Sequence, residues 1–349
     1  MNYGYLRLKL RFKRELLGII GYKPHNFISI YRAEKKPINF AEKVENYSQS
    51  VFQEFYDPRS ERIMGHMFNS RDIFKLTNVI VEPNQGLIYS QEGRLVSEST
   101  NWTTSNLYES FPWNPRKITK KISLNEVINL TSNAFGHWLV HDLGAIIYLI
   151  EKFPNSPILV YKNAPRFVFE LLQKLDREVI LCEGPVQVNS VLMVAKQNDG
   201  GWMHPKDLQI LEKFSRQFKS LVQDSNERIY ASRRLLNRSP KNEKDVENLF
   251  KNFNFKILRL EEVNFIEEIN MLKSTKVLAG IHGSWQFNCI WMNKGTEILD
   301  IVNENYWTEL IHRVCAMKNI NYKWYIYPGN YGNPVDIKNL EKTLVSISS

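Results

Sequence analysis

The sequence predicts an α/β protein whose two doubly wound lobes face each other across a cleft. Three observations support this prediction. The chain has 349 residues, more than a single hydrophobic core usually organises, so two domains are expected. Strand-like and helix-like segments alternate from about residue 123 and again after residue 227, as parallel α/β sheets require. The turn-rich stretch 197–201 between these runs predicts the boundary of the lobes.

The first lobe is predicted to open with an irregular part. Up to about residue 115 only short strand-like runs occur, such as 78–81 and 86–89, and Pro, Asn and Gly interrupt them. Beyond it, runs with helical apolar spacing alternate with runs typical of buried strands. These are helix 137–153, strand 157–161, helix 167–175 and strands 179–181 and 191–194. We assign residues 1–198 to this N-terminal lobe.

The second lobe, residues 199–349, is predicted to repeat the alternation. Its first helix has a proline in the first turn, where no N–H is needed. The predicted elements are helix 205–222, strand 228–232, helix 243–252, strand 255–258, helix 265–273, strand 276–279, helix 285–292 and strand 297–302. Such a succession builds an open doubly wound sheet. We further expect the last helix to pack back on the N-terminal lobe.

Composition argues against several classes of protein. A hydrophobic fraction of 43% and a charged fraction of 24% are ordinary for a globular chain, not a disordered one. The most apolar segment, 138–150, is interrupted by His141 and Asp142 and is too short to cross a bilayer. The basic start lacks the apolar segment of a signal peptide, which predicts a cytoplasmic protein. The three cysteines are widely spaced and are expected to be buried small side chains.

The formal net charge of +9 indicates an anionic partner. Basic and apolar residues alternate between Arg7 and Arg14, which fits either a solvated edge strand or a segment that lies on an anionic membrane. We therefore expect peripheral contact with the inner membrane surface as one alternative. The basic residues form no recognised nucleic-acid-binding motif, so nucleic acid is not an expected partner.

The first candidate binding segment, residues 280–288, follows a predicted strand and opens a helix. Small residues at this turn, including Gly283 and Ser284, let backbone amides approach a phosphate closely. His282 lies at the strand end and would donate to a phosphate or a sugar hydroxyl. The alternative is that His282 is a structural histidine with protein partners.

The second candidate segment, residues 229–234, is again a strand that ends in polar residues. Arg233 and Arg234 come at the carboxyl end of this strand, where open α/β sheets bind ligands, and Arg238 follows shortly after. We expect one or two of these arginines to neutralise a departing nucleotide, although each also fits a surface charge. Asn242 and Glu243 also fit a helix cap with an acidic first turn.

The third candidate segment, residues 133–142, holds His137, His141 and Asp142 on one predicted helix. The two histidines share a helix face and Asp142 lies one step round from it, so the group is suited to supply a general base. His-x-x-x-His spacing also fits zinc, but the glutamate of a zinc protease is missing, so we predict no metal site.

Absent motifs narrow the chemistry further. The sequence has no phosphate-binding loop with a Gly-Lys pair, no Gly-x-Gly-x-x-Gly fingerprint and no Gly-x-Ser-x-Gly elbow. Nucleotide hydrolysis, hydride transfer and serine hydrolase chemistry therefore lose support. No Asp-x-Asp occurs either, so a metal ion held by two aspartates is not expected beside a diphosphate. Arginines and helix N-termini would have to compensate that charge.

Taken together, these motifs resemble glycosyltransferase family 61, which is often found in capsular polysaccharide loci. The resemblance covers about residues 123–325 and rests on the order of its motifs. These are Phe-Gly-His-Trp-Leu, Tyr-x-Ser-Arg-Arg, an arginine before Asn-Glu, a His-Gly-Ser turn with a later Asn, and Gly-Thr-Glu-x-x-Asp. The resemblance implies the two-lobed GT-B fold, an inverting mechanism and a nucleotide-sugar donor, with the acceptor bound by residues 1–198 and the donor by residues 199–349. Since Asp-x-Asp is missing, we expect no divalent metal or other cofactor.

The resemblance also implies roles for individual residues. The donor side would be lined by Arg233, Arg234, Arg238, Asn242, Glu243, His282, Gly283, Ser284, Asn288 and Asp300, with Asp300 on ribose or sugar hydroxyls. His137 matches the family histidine that faces the acceptor. The family acid usually follows four residues later, where this chain has His141, and Asp142 comes one position after it. The preferred order of candidate bases is Asp142, His141 and then His137.

Two functions remain open from the sequence. The first is an inverting transferase that passes a sugar to a glycan or lipid-linked oligosaccharide of a cell-surface polysaccharide, capsular or lipopolysaccharide. The second is a non-catalytic scaffold that binds glycan or nucleotide within a polysaccharide assembly complex. Slow hydrolysis of a nucleotide sugar by the purified protein would distinguish the first from the second.

Overall fold

The structure is a computed structural model, and the elements below are given for the residues that it describes. These are residues 27–30, 40–57, 62–99, 120–122, 126–131, 135–196, 203–218, 227–234, 236, 238–306 and 310–348. The basic segment that begins at Arg7 and the predicted boundary 197–201 lie outside them.

The N-terminal part is built on a ten-stranded mixed sheet with the order β1-β7-β6-β5-β12-β9-β10-β11, in which β2 pairs with β5 and β8 with β12. The strands are β1 Phe27–Ile28, β2 Ala41–Ser48, β5 Arg71–Glu82, β6 Leu87–Tyr89, β7 Leu95–Val96, β8 Lys120–Ile122, β9 Val127–Leu130, β10 Ile158–Tyr161, β11 Val179–Cys182 and β12 Val186–Val194. The strands β3 Val51–Asp57 and β4 Arg62–Phe68 form a separate hairpin.

The opening part of the chain is more regular than the sequence indicates. Strands β2 and β12 run antiparallel to the twelve-residue strand β5, on either side of it. Strand β6 then returns antiparallel along β5 after a turn at Gly86, whose φ of 74° favours glycine. Because β12 is more than 100 residues from β5 in sequence, local patterns do not reveal that pairing. The N-terminal sheet is therefore mixed, whereas a doubly wound parallel sheet was expected.

The C-terminal part is built on an entirely parallel five-stranded sheet with the order β14-β13-β15-β16-β17. Its strands are β13 Glu227–Ala231, β14 Lys256–Leu258, β15 Thr275–Ile281, β16 Glu297–Asn303 and β17 Asn321–Tyr327. The predicted strands up to β16 are confirmed, with ends that differ by one or two residues at most. Strand β17 was not predicted.

The helices connect these strands. They are α1 Phe135–His137, a π-helical turn Trp138–Leu143, α2 Gly144–Lys152, α3 Arg166–Leu172, α4 Pro205–Ser215, α5 Glu243–Asn252, α6 Phe265–Lys273, α7 Leu310–Lys318 and α8 Ile337–Ser348, with 3-10 turns at Ser97–Ser99, Leu260–Glu262 and Ser284–Trp291. The helices predicted at 243–252 and 265–273 are confirmed at both ends. Within the described residues, no helix combines the length and apolar character that spanning a membrane requires.

One apolar core extends through both parts of the chain. It contains Trp138 and Leu143 from the N-terminal part together with Phe265 and Trp291 from the C-terminal part. The rings of Trp138 and Phe265 lie 5.4 Å apart. The α/β class is thus confirmed, while the arrangement of two GT-B lobes across a cleft stays a prediction.

Helix α4 is tied to the N-terminal sheet although it follows the predicted boundary. Its Asp207 accepts a hydrogen bond from Arg71 Nη1 at 2.8 Å and another from the hydroxyl of Tyr47. All three side chains are buried. The last helix, α8, packs against α5 instead of the N-terminal lobe, because Leu340 and Leu344 belong to the core beside the parallel sheet.

Candidate functional site

A cavity of about 350 Å³ opens at the carboxyl ends of the parallel strands β13, β14 and β15. Its polar lining includes Arg233, Ser284, Asn288 and Glu268. Aromatic rings form much of the rest, from Phe135, Phe167, Phe265 and Trp285. A largely apolar cavity with a few converging polar groups is the usual form of a small-molecule site.

The strand order explains why the cavity lies here. Strands β14 and β15 flank β13 on opposite sides, so the chain turns to one side after β13 and to the other after β14. The helices that follow β13 and β14 consequently lie on opposite faces and leave a crevice at the strand ends. Arg233 and Ser284 come from the segments that follow β13 and β15.

Arg233 lies directly against Gly283 across this crevice. A Cβ at position 283 would come within 1.7 Å of the Nη1 atom of Arg233, so a glycine is needed for this approach. Burial lowers the pKa of Arg233, and the neighbouring charge of Arg238 lowers it further. Two guanidinium groups close together form a site that favours an anion.

Arg238 and Arg234 are held differently. The guanidinium of Arg238 lies 4.8 Å from the ring centre of Tyr306 and 5.1 Å from that of Tyr331, as cation–π contacts require. Arg234 Nε is 3.5 Å from a carboxylate oxygen of Glu247 on α5. Arg238 thus lies near Arg233, whereas Arg234 pairs with a carboxylate on helix α5.

Asn242 and Glu243 support the loop that carries the arginines. The Glu243 carboxylate accepts hydrogen bonds from the Arg233 backbone N–H at 2.5 Å and from the Ser239 hydroxyl. Burial raises the pKa of Glu243 above its usual value. The Asn242 side chain makes two hydrogen bonds to the backbone of Val335, at 2.9 and 2.8 Å. These contacts fix the loop between β13 and α5.

His282, directly after β15, and Asp300, in the middle of the neighbouring strand β16, form a buried pair. His282 Nδ1 lies 2.8 Å from Asp300 Oδ2, and the hydroxyl of Tyr322 donates to the same oxygen at 2.6 Å. The amide of Gln286 donates to the other oxygen. Asp300 is fully buried, so it orients His282 and the 3-10 turn and is not open to sugar hydroxyls as the resemblance implied. Neither residue lines the cavity.

Glu268 on α6 is one of the lining residues that the sequence did not single out. Its carboxylate accepts a hydrogen bond of 2.5 Å from Asn288 Nδ2. Burial raises the pKa of Glu268 to about 8, and the charges of Glu170 and Glu261 add to this shift. An acidic residue in the first turn of a helix is ordinary in a sequence, so no local signal marks it.

The π-helical turn brings the three candidate bases together on one segment. A π-helical turn contains more residues than an α-helical one, so it accommodates the extra residue between His137 and Asp142. The rings of His137 and His141 are stacked with their centres 5.5 Å apart. The turn lies close to the cavity, because a Cβ at Gly136 would come within 3.2 Å of Ser284 Cβ.

The candidate bases differ in their surroundings. Asp142 is buried, forms an ion pair with Lys196 and accepts a hydrogen bond of 3.2 Å from the Thr131 hydroxyl. It borders a separate cavity of about 50 Å³. Burial lowers the pKa of His141 to about 3. The pKa of half-buried His137 is also lowered by burial, while the charge of Asp142 raises it.

The structure therefore brings together only part of the predicted site. Arg233, Ser284 and Asn288 line the cavity, with Gly283 and Arg238 beside Arg233. Within the described part of the chain, no three His, Cys, Asp or Glu side chains are grouped as metal ligands. All three cysteines are buried and free, as expected.

The part of the chain that lines the cavity is similar to a known protein family. Residues 135–299 match the model of the family described as Glycosyltransferase 61. The matched region begins at α1 and ends within β16, so it includes every residue that lines the cavity. No curated protein matches the sequence.

Proposed function

We propose that this chain, whose residues 135–299 match the glycosyltransferase 61 model, transfers a sugar from a nucleotide-sugar donor with inversion. The acceptor in this proposal is a glycan or lipid-linked oligosaccharide of a cell-surface polysaccharide. The observation that carries the proposal is the cavity at the ends of β13 and β15 with Arg233 at its edge.

The proposed donor lies with its diphosphate between Arg233 and Arg238. These guanidinium groups are close enough for the charge of one to lower the pKa of the other, and an anion between them removes that repulsion. The 3-10 turn Ser284–Trp291 begins beside Arg233, and its first N–H groups add to the positive field. No divalent metal takes part in this scheme.

The proposed base is His137, in preference to Asp142 and His141. The ion pair with Lys196 holds the Asp142 carboxylate at a separate cavity. Asp142 is therefore suited to fix the π-helical turn in place. A pKa of about 3 makes His141 a weak base. His137 lies next to Gly136, which contacts Ser284 at the edge of the donor cavity.

The reaction then proceeds by direct displacement. The acceptor hydroxyl oxygen forms a bond to the anomeric carbon while its proton passes to His137. The bond between that carbon and the diphosphate oxygen breaks, and the electron pair leaves with the nucleoside diphosphate. Arg233 and Arg238 stabilise the negative charge that develops on this leaving group.

Calorimetry with nucleoside diphosphates tests the donor site. We expect Arg233→Ala to weaken binding of the preferred nucleotide at least tenfold, because one buried charge-assisted contact is lost. The control is Arg216→Ala, which removes an equal charge from an exposed position at the end of α4. Equal affinities for both variants and the wild type would rule out the proposed diphosphate site.

Transfer rates test the base. His137→Ala should lower kcat by about 100-fold or more, as loss of a general base does, with little change in donor affinity. His141→Gln should lower it much less. If His137→Ala keeps the wild-type rate while Asp142→Asn abolishes transfer in a folded protein, the base is Asp142. Absence of both transfer and donor hydrolysis in the wild type would favour a binding scaffold.

Membrane contact is a separate proposal that rests on the sequence alone. The alternating basic and apolar residues from Arg7 to Arg14 suit an anionic surface. Flotation with anionic vesicles, with and without residues 1–24, tests it. Equal flotation of the two proteins would remove the segment from consideration.

A further inference from the structure

The donor cavity contains a polar pair that the proposed mechanism does not use. Glu268 and Asn288 both line it, and Asn288 Nδ2 donates to Glu268 Oε1 at 2.5 Å. Asn288 is fully buried, and its Oδ1 has no hydrogen-bond partner among the described residues. A buried acceptor without a partner is costly, so a ligand that donates to it gains affinity there.

We propose that Glu268 and Asn288 recognise the hydrogen-bonding edge of the donor's nucleobase and so determine which nucleotide this enzyme uses. The inference rests on the proposed function and states which part of the donor lies against Glu268 and Asn288. Arg233, which lines the same cavity, would bind only the diphosphate.

The lining of the cavity favours a flat aromatic group. The rings of Phe135 and Phe265 are within 6.3 Å of each other and both line it, together with Phe167 and Trp285. Aromatic side chains pack well against the faces of a nucleobase. A sugar placed between these rings would bury ring hydroxyls against apolar carbon, whereas a flat base would not.

The polar pair does not suit a phosphate. Glu268 is accompanied at the cavity by Glu170 and Glu261, and Arg166 is the cation that partly offsets them. Arg166 itself pairs with Glu170 at 2.7 Å. An anion beside Glu268 would therefore meet carboxyl groups, so the diphosphate is assigned to Arg233 and Arg238, whose two positive charges favour it.

The pair offers one donor and one acceptor side by side. Because burial keeps Glu268 protonated at neutral pH, its hydroxyl donates, while Asn288 Oδ1 accepts. Every nucleobase carries an adjacent donor and acceptor on its base-pairing edge, as an N–H next to a carbonyl or a ring nitrogen next to an amino group. The order in which Glu268 and Asn288 present their donor and acceptor to the base then decides which nucleobase edge can pair with them.

The test compares binding of UDP, CDP, ADP, GDP and inorganic pyrophosphate by calorimetry. For the preferred nucleotide, Glu268→Ala should lower affinity about tenfold, the usual effect of losing a hydrogen bond in a buried site. Affinity for pyrophosphate should stay unchanged. Glu268→Gln, which keeps the size and a donor, should recover most of the affinity, and Asn288→Ala should reduce the differences among the four nucleotides.

Glu267→Ala is the matched control, since Glu267 is the exposed neighbour on the same helix. Unchanged affinity of Glu268→Ala for the preferred nucleotide would overturn the inference, as would an equal loss for nucleotide and pyrophosphate. In either case a loss on Arg233→Ala would leave the proposed donor site intact. A wild-type protein that binds pyrophosphate but no nucleotide more tightly would also overturn the assignment of the base.

Discussion

The guanidinium of Arg233 rests on Gly283, where any Cβ would come within 1.7 Å of its Nη1 atom. Two segments that follow neighbouring parallel strands therefore meet at the one position where a glycine lets an arginine enter. The conflicting atom is the end of a flexible side chain, so a larger residue at 283 would move Arg233 and leave the backbone largely in place.

We expect Gly283→Ala to reproduce much of the binding defect of Arg233→Ala. Pyrophosphate affinity should fall by several-fold to tenfold, while the melting temperature should change by only a few degrees, because only the arginine moves. In the background of Arg233→Ala, the glycine substitution should add little further loss. Additive losses in the double variant would contradict this relationship.

A second prediction concerns the contact between α2 and α4. A Cβ at Gly144 would lie 2.7 Å from Asp207 Cα and 2.9 Å from its carbonyl oxygen, and backbone atoms yield little. Gly144→Ala should therefore destabilise the protein by about 1–3 kcal/mol, as overpacking does. Urea unfolding measures this. The control is Glu151→Ala, an exposed position on the same helix whose pair with Lys213 should contribute under about 1 kcal/mol.

A third prediction concerns the ion pair of Lys196 and Asp142, whose side chains are 15% and 2% exposed. Lys196→Met leaves the Asp142 carboxylate buried without its cation and should cost about 3 kcal/mol. Lys213→Met is the control, because the pair of Lys213 with Glu151 is exposed and should contribute under about 1 kcal/mol. Similar effects of the two substitutions would contradict a structural role for the Asp142 pair.

A fourth prediction follows from the pKa of Glu268, which burial raises to about 8. The folded protein holds this proton more tightly than the unfolded chain, so stability falls as pH rises from about 4.5 to 8. The slope is roughly 1.4 kcal/mol per pH unit at most from this group. Glu268→Gln should remove that slope and raise the melting temperature at pH 8. An unchanged pH profile would show that Glu268 is ionised in the folded protein.

Nucleotide affinity should follow the same titration if Glu268 recognises the base. Above pH 8 the carboxylate no longer donates a hydrogen bond, so binding of the preferred nucleotide weakens. The groups that face Glu268 are Glu170, Glu261, Arg166 and Asn288. Pyrophosphate is the control, because in this proposal it does not contact Glu268. The pH dependence of its affinity therefore reflects only the other ionisable groups of the site.

The candidate site was only partly predictable from the sequence. A glycine between a strand and a helix at 283 and arginines after a strand at 233 and 238 are local signals, and they pointed to the cavity at the ends of β13 and β15. Glu268 gave no such signal, because an acid in the first turn of a helix is common and only its burial against Asn288 makes it distinctive. Asp300 and Asn242 carried plausible signals, but their partners are protein atoms.

The sequence by itself determined the parallel alternation of strand and helix after residue 227, because helical and strand periods are local properties of the chain. It also determined which residues follow each strand and so stand at one edge of the sheet. Only the tertiary structure decided the mixed N-terminal sheet, the shared core and the environment of each ionisable group. These depend on contacts between residues far apart in sequence, such as Asp142 with Lys196 or Glu268 with Asn288, and burial in the folded chain raises the pKa of Glu268.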